Sequence, residues 1–128
     1  MTNEILDKIT ALAFKNTDIE VIWLYGSRAR NTHHENSDYD LAIAFKSFIK
    51  DPLENRIRPE LLASFWQQKL GVDLSIIDIN QSPIPLSYTV LIDDNAFYIA
   101  NGMRKLKEEN RIMSQWELDY EYSRKKYN

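Results

Sequence analysis

Val21-Ile22-Trp23-Leu24-Tyr25-Gly26-Ser27, then ten residues, then Asp38-Tyr39-Asp40-Leu41-Ala42-Ile43-Ala44-Phe45, is the stretch on which the fold and function of this chain turn. The two apolar runs predict a pair of strands joined by a polar loop. Gly26 ends the first strand where the lack of a Cβ lets a phosphate approach the backbone, and Ser27 adds a hydroxyl donor. Side chains alternate along the second strand, so Asp38 and Asp40 project from one face while Tyr39 and Leu41 project from the other. Two carboxylates on one face can share divalent cations. A hairpin edge carrying solvated acids is the plainer alternative. Four fixed identities at fixed spacing, with a strand on each side, weigh against it.

Upstream, Asn3 predicts an N-cap for a helix reaching Phe14, with Ile5, Ile9, Leu12 and Ala13 at helical spacing. After Tyr25, Ser27-Arg28-Ala29-Arg30 is expected to open a helix whose N-terminal amides favour a triphosphate, with Arg28 and Arg30 supplying positive charge. Solvated arginines are the competing reading. Asn31 tolerates a left-handed backbone better than most residues. His33 and His34 are read as exposed loop residues and not as metal ligands, because adjacent positions point in different directions. Asp51-Pro52-Leu53-Glu54 carries an N-cap, an N1 proline and an N3 glutamate, and Pro59 is expected to restart a longer helix through Leu61, Leu62, Phe65, Trp66 and Leu70 to Gly71. Trp66 is read as packing against the core.

Gly71 to Asp78 then predicts a further strand, with Asp73 near its start and Asp78 on the opposite face as a turn residue. A short helix through Leu86, Val90 and Leu91 follows Ser82-Pro83-Ile84-Pro85, and Ala96 to Ile99 supplies a last strand before a turn at Asn101-Gly102. From about 103 to 127, Leu106, Met113, Tyr120 and Tyr127 recur every seven residues, with Trp116 between them on the same side. An amphipathic helix is expected, its first half packed on the domain. Its second half sets Tyr120, Tyr122 and Tyr127 among Arg124, Lys125 and Lys126, an end suited to a protein partner, with fraying in solution as the alternative. The fold class expected is α/β (α+β), a mixed sheet of about four strands flanked by helices, in a single domain over 1–128.

A chain of 128 residues, 44% of them hydrophobic, suffices for one core. It has no cysteine, no apolar run approaching a membrane span and no charged-then-apolar leader, which points to a soluble, cytoplasmic protein with no membrane partner. The net charge of −3 argues against direct nucleic-acid binding, and with it a template-reading polymerase.

Gly26-Ser27-x10-Asp38-x-Asp40 resembles the signature of the polymerase-β-type nucleotidyltransferases, and so short a chain is similar to their minimal nucleotidyltransferase (MNT) antitoxin members. The resemblance implies a polymerase-β-like nucleotidyltransferase fold with a third carboxylate on a neighbouring strand, for which Asp73 is the candidate; a strand-opening acid facing water is its plainer reading. It implies two Mg²⁺ ions on Asp38, Asp40 and Asp73, ATP held through Gly26, Ser27, Arg28 and Arg30, and Asp73 as base. The implied partner is a HEPN-family ribonuclease toxin, joined in a hetero-oligomer and silenced by transfer of AMP to a tyrosine, as in a type VII-like toxin–antitoxin pair. Two alternatives stay open. One is an antitoxin that acts by binding alone, and the other a small-molecule nucleotidyltransferase of the aminoglycoside type, which normally carries an added domain.

Overall fold

Asn3 accepts the amides of Ile5 and Leu6 on its side chain and so starts α1 (Glu4–Phe14) as its residue type predicts. The computed structural model describes residues 3–127, the side chain of Tyr127 excepted. After α1 come β1 (Ile19–Tyr25), β2 (Tyr39–Phe45), α2 (Pro52–Leu70), β3 (Leu74–Asp78), α3 (Ile84–Asp93), β4 (Ala96–Ile99) and α4 (Gly102–Tyr127). The sheet runs β3-β2-β1-β4, as the expected mixed sheet of four strands. β1 is antiparallel to β2 and to β4, while β2 and β3 are parallel and α2 is the crossover that a parallel pair requires.

Helices cover both faces of this sheet, which is why β1 and β2 read as unbroken apolar runs and not as alternating ones. On one face, Ile9 and Ala13 of α1 and Ala63 and Trp66 of α2 pack on Ile22, Leu24, Leu41, Ile43 and Ile76. On the other, Val90 of α3 and Ile112 of α4 pack on Val21, Trp23, Ala42 and Ala44. Trp66 is buried in the core, as expected from its place on α2.

Two expectations about the long helices need correction. Pro59 does not restart a helix, because α2 runs through it for 19 residues from an Asp51 N-cap to Gly71, whose φ of 69° closes it. A proline deprives the carbonyl four residues earlier of its donor. Here that carbonyl belongs to Asn55, and the Gln81 side-chain amide donates to it at 2.9 Å. Leu61 and Phe65 face solvent, leaving Leu62, Ala63, Trp66 and Leu70 to meet the sheet.

The second correction concerns α4. The stripe of Leu106, Met113 and Tyr120 is exposed, while Glu108 and Ile112 are buried. Trp116 reaches the body from the flank of the helix, stacking on Tyr88 with ring centroids 4.2 Å apart. Tyr127, the last member of the expected series, has its side chain outside the described residues. The surface that docks is partly ionic. Glu108 accepts Arg104 Nε at 2.9 Å, Arg111 Nε at 2.8 Å and the Asn80 amide at 3.0 Å, and Arg104 also donates to Glu20 and to the Phe45 carbonyl. A heptad of apolar residues marks an amphipathic helix but does not reveal that a carboxylate satisfied by two arginines forms the buried side. Asn101, expected in a turn, caps α4 by accepting the Arg104 amide at 3.1 Å. No helix among the described residues is long and apolar enough to cross a membrane.

Candidate active site

The C-terminal end of β1 and the N-terminal end of β2 lie side by side, with Tyr25 paired to Asp40, and the loop between them crosses the end of the sheet. Ser27 to Arg30 forms a turn here and not the expected helix. The amides of Ala29 and Arg30 converge on the Gly26 carbonyl at 3.1 and 3.2 Å, the Thr32 amide reaches the Ser27 carbonyl at 2.9 Å, and Asn31 leaves the turn at a φ of 58°. Asn31 therefore adopts the left-handed backbone that its residue type allows. A helix needs several further bonds to offset its nucleation, and the polar stretch after Asn31 offers no apolar face to hold one.

Gly26 itself has a φ of 78°, and a Cβ built there would stand 2.6 Å from Asp40 Oδ2. The glycine thus makes room for a carboxylate of its own chain. Burial pushes the Asp40 carboxyl up, the Asp38 charge adds to this, and Arg30 works against both. Beside it, burial and then the Asp40 charge push the Tyr25 phenol up to about 12, so Tyr25 stays protonated throughout the neutral range. Asp38 is exposed just ahead of β2, and Asp40 projects from the face that also carries Ala42 and Ala44.

The β2–β3 register pairs Tyr39 with Leu74 and Asp40 with Ser75. Asp38 and Asp73 each stand one position ahead of these strands, in which Asp40 and Ser75 share one face, and the Tyr39 amide bonds to the Asp73 carbonyl at 3.0 Å. Asp78 falls on the other face, where its carboxylate accepts the Asn80 amide and the Gln81 side chain as a turn residue does. Asp73 also borders a cleft of about 300 Å³ together with Arg28, Ser37 and Tyr39. Among the described residues, no three His, Cys, Asp or Glu side chains are gathered into a ready metal-binding group.

Both arginines of the loop have partners. Arg28 stacks 4.0 Å over the Tyr39 ring and donates to the Ser37 and Glu35 carbonyls at 2.9 and 3.2 Å, which ties down the segment leading into Asp38. Arg30 Nε donates to the Gly26 carbonyl at 3.2 Å, while its side chain stays half-exposed. Ser27 Oγ makes no hydrogen bond among the described residues. His34 Nδ1 lies 3.1 Å from Ser37 Oγ at the surface, and His33 is exposed.

One residue of this region gave no sign in the local pattern. Asp93, 67 positions after Gly26, accepts the Gly26 amide on Oδ2 at 2.8 Å. The only hint in the sequence is an acid at the C-terminal end of a helix, where the dipole disfavours it.

The donor set suits a hard divalent cation. Asp38 and Asp40 offer oxygen ligands on one face, and a bound cation would offset both the burial and the Asp38 charge that push the Asp40 carboxyl up.

Residues 7–102 match the family model described as polymerase beta nucleotidyltransferase, from within α1 to the first residue of α4. A search of curated proteins finds no match. Among solved structures, a toxin–antitoxin complex with AMP-PNP contains a similar chain, at a TM-score of 0.75 and 20% identity over 94% of each chain. The toxin–antitoxin pair MntA–HepT gives a TM-score of 0.70 at 19% identity, covering 93% of this chain and 91% of that one. A complex of an MNT antitoxin with a tri-AMPylated HEPN toxin from Shewanella oneidensis gives 0.67 at 17% identity, covering 93% and 89%. At such identity these likenesses speak for the fold. Joined to the family match, which takes in β1, β2, β3 and the acids at their ends, they lead to one conclusion: the chain belongs to the polymerase beta nucleotidyltransferase family.

Proposed function

We propose that the whole chain acts as one minimal nucleotidyltransferase domain, a cytoplasmic antitoxin that moves AMP from ATP to a tyrosine of a HEPN-family toxin bound in the same complex. The observation that carries this is the pairing of Asp38 and Asp40 at the sheet end against Gly26, whose missing Cβ leaves room for Asp40. The kinship in fold with antitoxins seen beside AMP-PNP and beside a tri-AMPylated toxin supports the choice of ATP and of a protein acceptor.

Asp38 and Asp40, with Asp73 to one side, would hold Mg²⁺, which when bound neutralises charge on the phosphates and aligns the attacking and leaving oxygens. Gly26 gives the triphosphate close approach to the turn. Its own amide is taken by Asp93, while Ser27 Oγ and the exposed end of Arg30 would meet phosphate oxygens. Arg28 holds the loop that delivers Asp38. The acceptor tyrosine oxygen forms a bond to the α-phosphorus, the bond to the bridging oxygen breaks, and pyrophosphate leaves with those electrons. A phenol has an unperturbed pKa near 10, so its proton needs a base, and Asp73 takes it. The added phosphate brings negative charge where the toxin would otherwise meet RNA phosphates.

Co-expression with the toxin tests this. The wild-type chain should protect cells and leave the toxin carrying AMP, whereas a chain with both Asp38→Asn and Asp40→Asn, at equal abundance, should do neither. Full protection by that variant with the toxin unmodified would favour an antitoxin that works by binding alone.

A further inference from the structure

The C-terminal end of α3 carries a carboxylate where two general effects oppose it. Asp93 is the last residue of α3 and so stands at the negative end of the helix dipole. Its side chain is only 5% exposed, so its charge is largely stripped of water. Contacts that converge on a single residue offset these costs. Oδ2 accepts the Gly26 N–H at 2.8 Å, and Oδ1 faces Arg30 Nε at 3.6 Å. Arg30 Nε donates in turn to the Gly26 carbonyl at 3.2 Å, which closes a ring of Asp93, Gly26 and Arg30. Gly26 is thereby held through its amide on one side and its carbonyl on the other. The residues just beyond α3 add a second strut, since the Asn95 carbonyl accepts the Leu24 amide at 2.8 Å.

We infer that Asp93 is a positioning residue for nucleotide binding, fixing the Gly26–Ser27 turn and directing the Arg30 guanidinium toward the triphosphate of ATP. The inference rests on the adenylyl-transfer function proposed above and assigns the support of its phosphate-binding turn. Asp93 touches no substrate in this role. It acts through Gly26 and Arg30, so its loss should show in nucleotide affinity.

The test is a titration of the full chain, in Mg²⁺, with a fluorescent ATP analogue, at a temperature well below the thermal midpoint measured for each protein. Asp93→Ala removes both contacts and should weaken binding by roughly tenfold to a hundredfold, as loss of a supporting outer contact does at other sites. Asp93→Asn keeps an oxygen for the Gly26 amide but turns an NH₂ toward Arg30, and its affinity should fall between the two. A purely structural role would lower the thermal midpoints and leave the affinity of both folded variants at the wild-type value, which would overturn the inference. If Asp93→Ala does not fold, Asp93→Asn decides alone: weaker binding upholds the inference, and wild-type affinity overturns it. A wild-type chain that binds no ATP analogue would remove the nucleotide-binding function, and this inference with it.

Discussion

Gly26 and Asp40 compete for one volume, and only the absence of a side chain at Gly26 lets the Asp40 carboxylate lie where it does. Gly26→Ala combines that clash with a positive φ that a non-glycine residue disfavours, at a cost of about 1–3 kcal/mol. The expected result is a lower thermal midpoint together with at least a tenfold loss of AMP transfer, roughly the size of one displaced contact at a reacting centre. Unchanged transfer by a stable Gly26→Ala chain would show that Asp40 does not act from this position. Neutralising the acid should behave differently. Burial and the Asp38 charge both penalise the ionised Asp40, so Asp40→Asn should lose activity while its midpoint holds or rises. A midpoint several degrees lower would mean that Asp40 supports the fold. At this level the sequence was most legible: a glycine, a serine and two aspartates within one loop and strand carry the pattern locally. Asp93 was hidden because its contact with Gly26 exists only once α3 has packed against β1.

The helices show which features of an element local chemistry can announce. Asp51 accepts the Leu53 and Glu54 amides at 2.9 and 3.0 Å, as its place before Pro52 foretold. Asp51→Ala should therefore cost about 1 kcal/mol, read as a lower urea midpoint with an unchanged slope. The course of α2 through Pro59 was not foreseeable, since it depends on a donor from Gln81. Nor was the buried side of α4, where Glu108 is 4% exposed. Burial alone would push the Glu108 carboxyl up, but hydrogen bonds from Asn80, Arg111 and Arg104 and the Arg111 charge outweigh it and hold it below its ordinary 4.5. A folded-state value below the unfolded one gives stability that is complete above about pH 4.5 and lost as pH falls through the folded value. Glu108→Gln should accordingly be less stable near neutrality and should lose less on acidification than wild type does. Equal acid sensitivity of the two proteins, followed by thermal midpoint against pH, would place the main acid-labile contact elsewhere.

In the molecule as a whole, the sheet sets its acids at one end, while the Arg104–Glu108 network fastens α4 near the other, against Glu20 at the start of β1 and Phe45 at the end of β2. The family match stops where α4 starts, and this helix is attached to the matched core by ionic contacts, by buried Ile112 and by the Trp116–Tyr88 stack. Beyond Trp116 its side chains are exposed as far as they are described, Tyr120 and Tyr122 among them, on the stretch expected to serve a protein partner. A mixed sheet of about four strands flanked by helices followed from the apolar runs; the face that α4 turns inward did not, because ion pairs to Glu108 and the Trp116–Tyr88 stack help to settle it. Transfer of AMP is the purpose proposed for the paired acids, and intact-mass spectrometry of the proposed HEPN partner reads it without intermediaries. After incubation of the purified complex with ATP and Mg²⁺, the partner should gain the mass of one or more AMP units. The gain should vanish with a chelator and in the chain carrying both Asp38→Asn and Asp40→Asn. A partner whose mass stays unchanged beside the wild-type chain, or rises equally beside that variant, would contradict the assignment of this site as an adenylyltransferase.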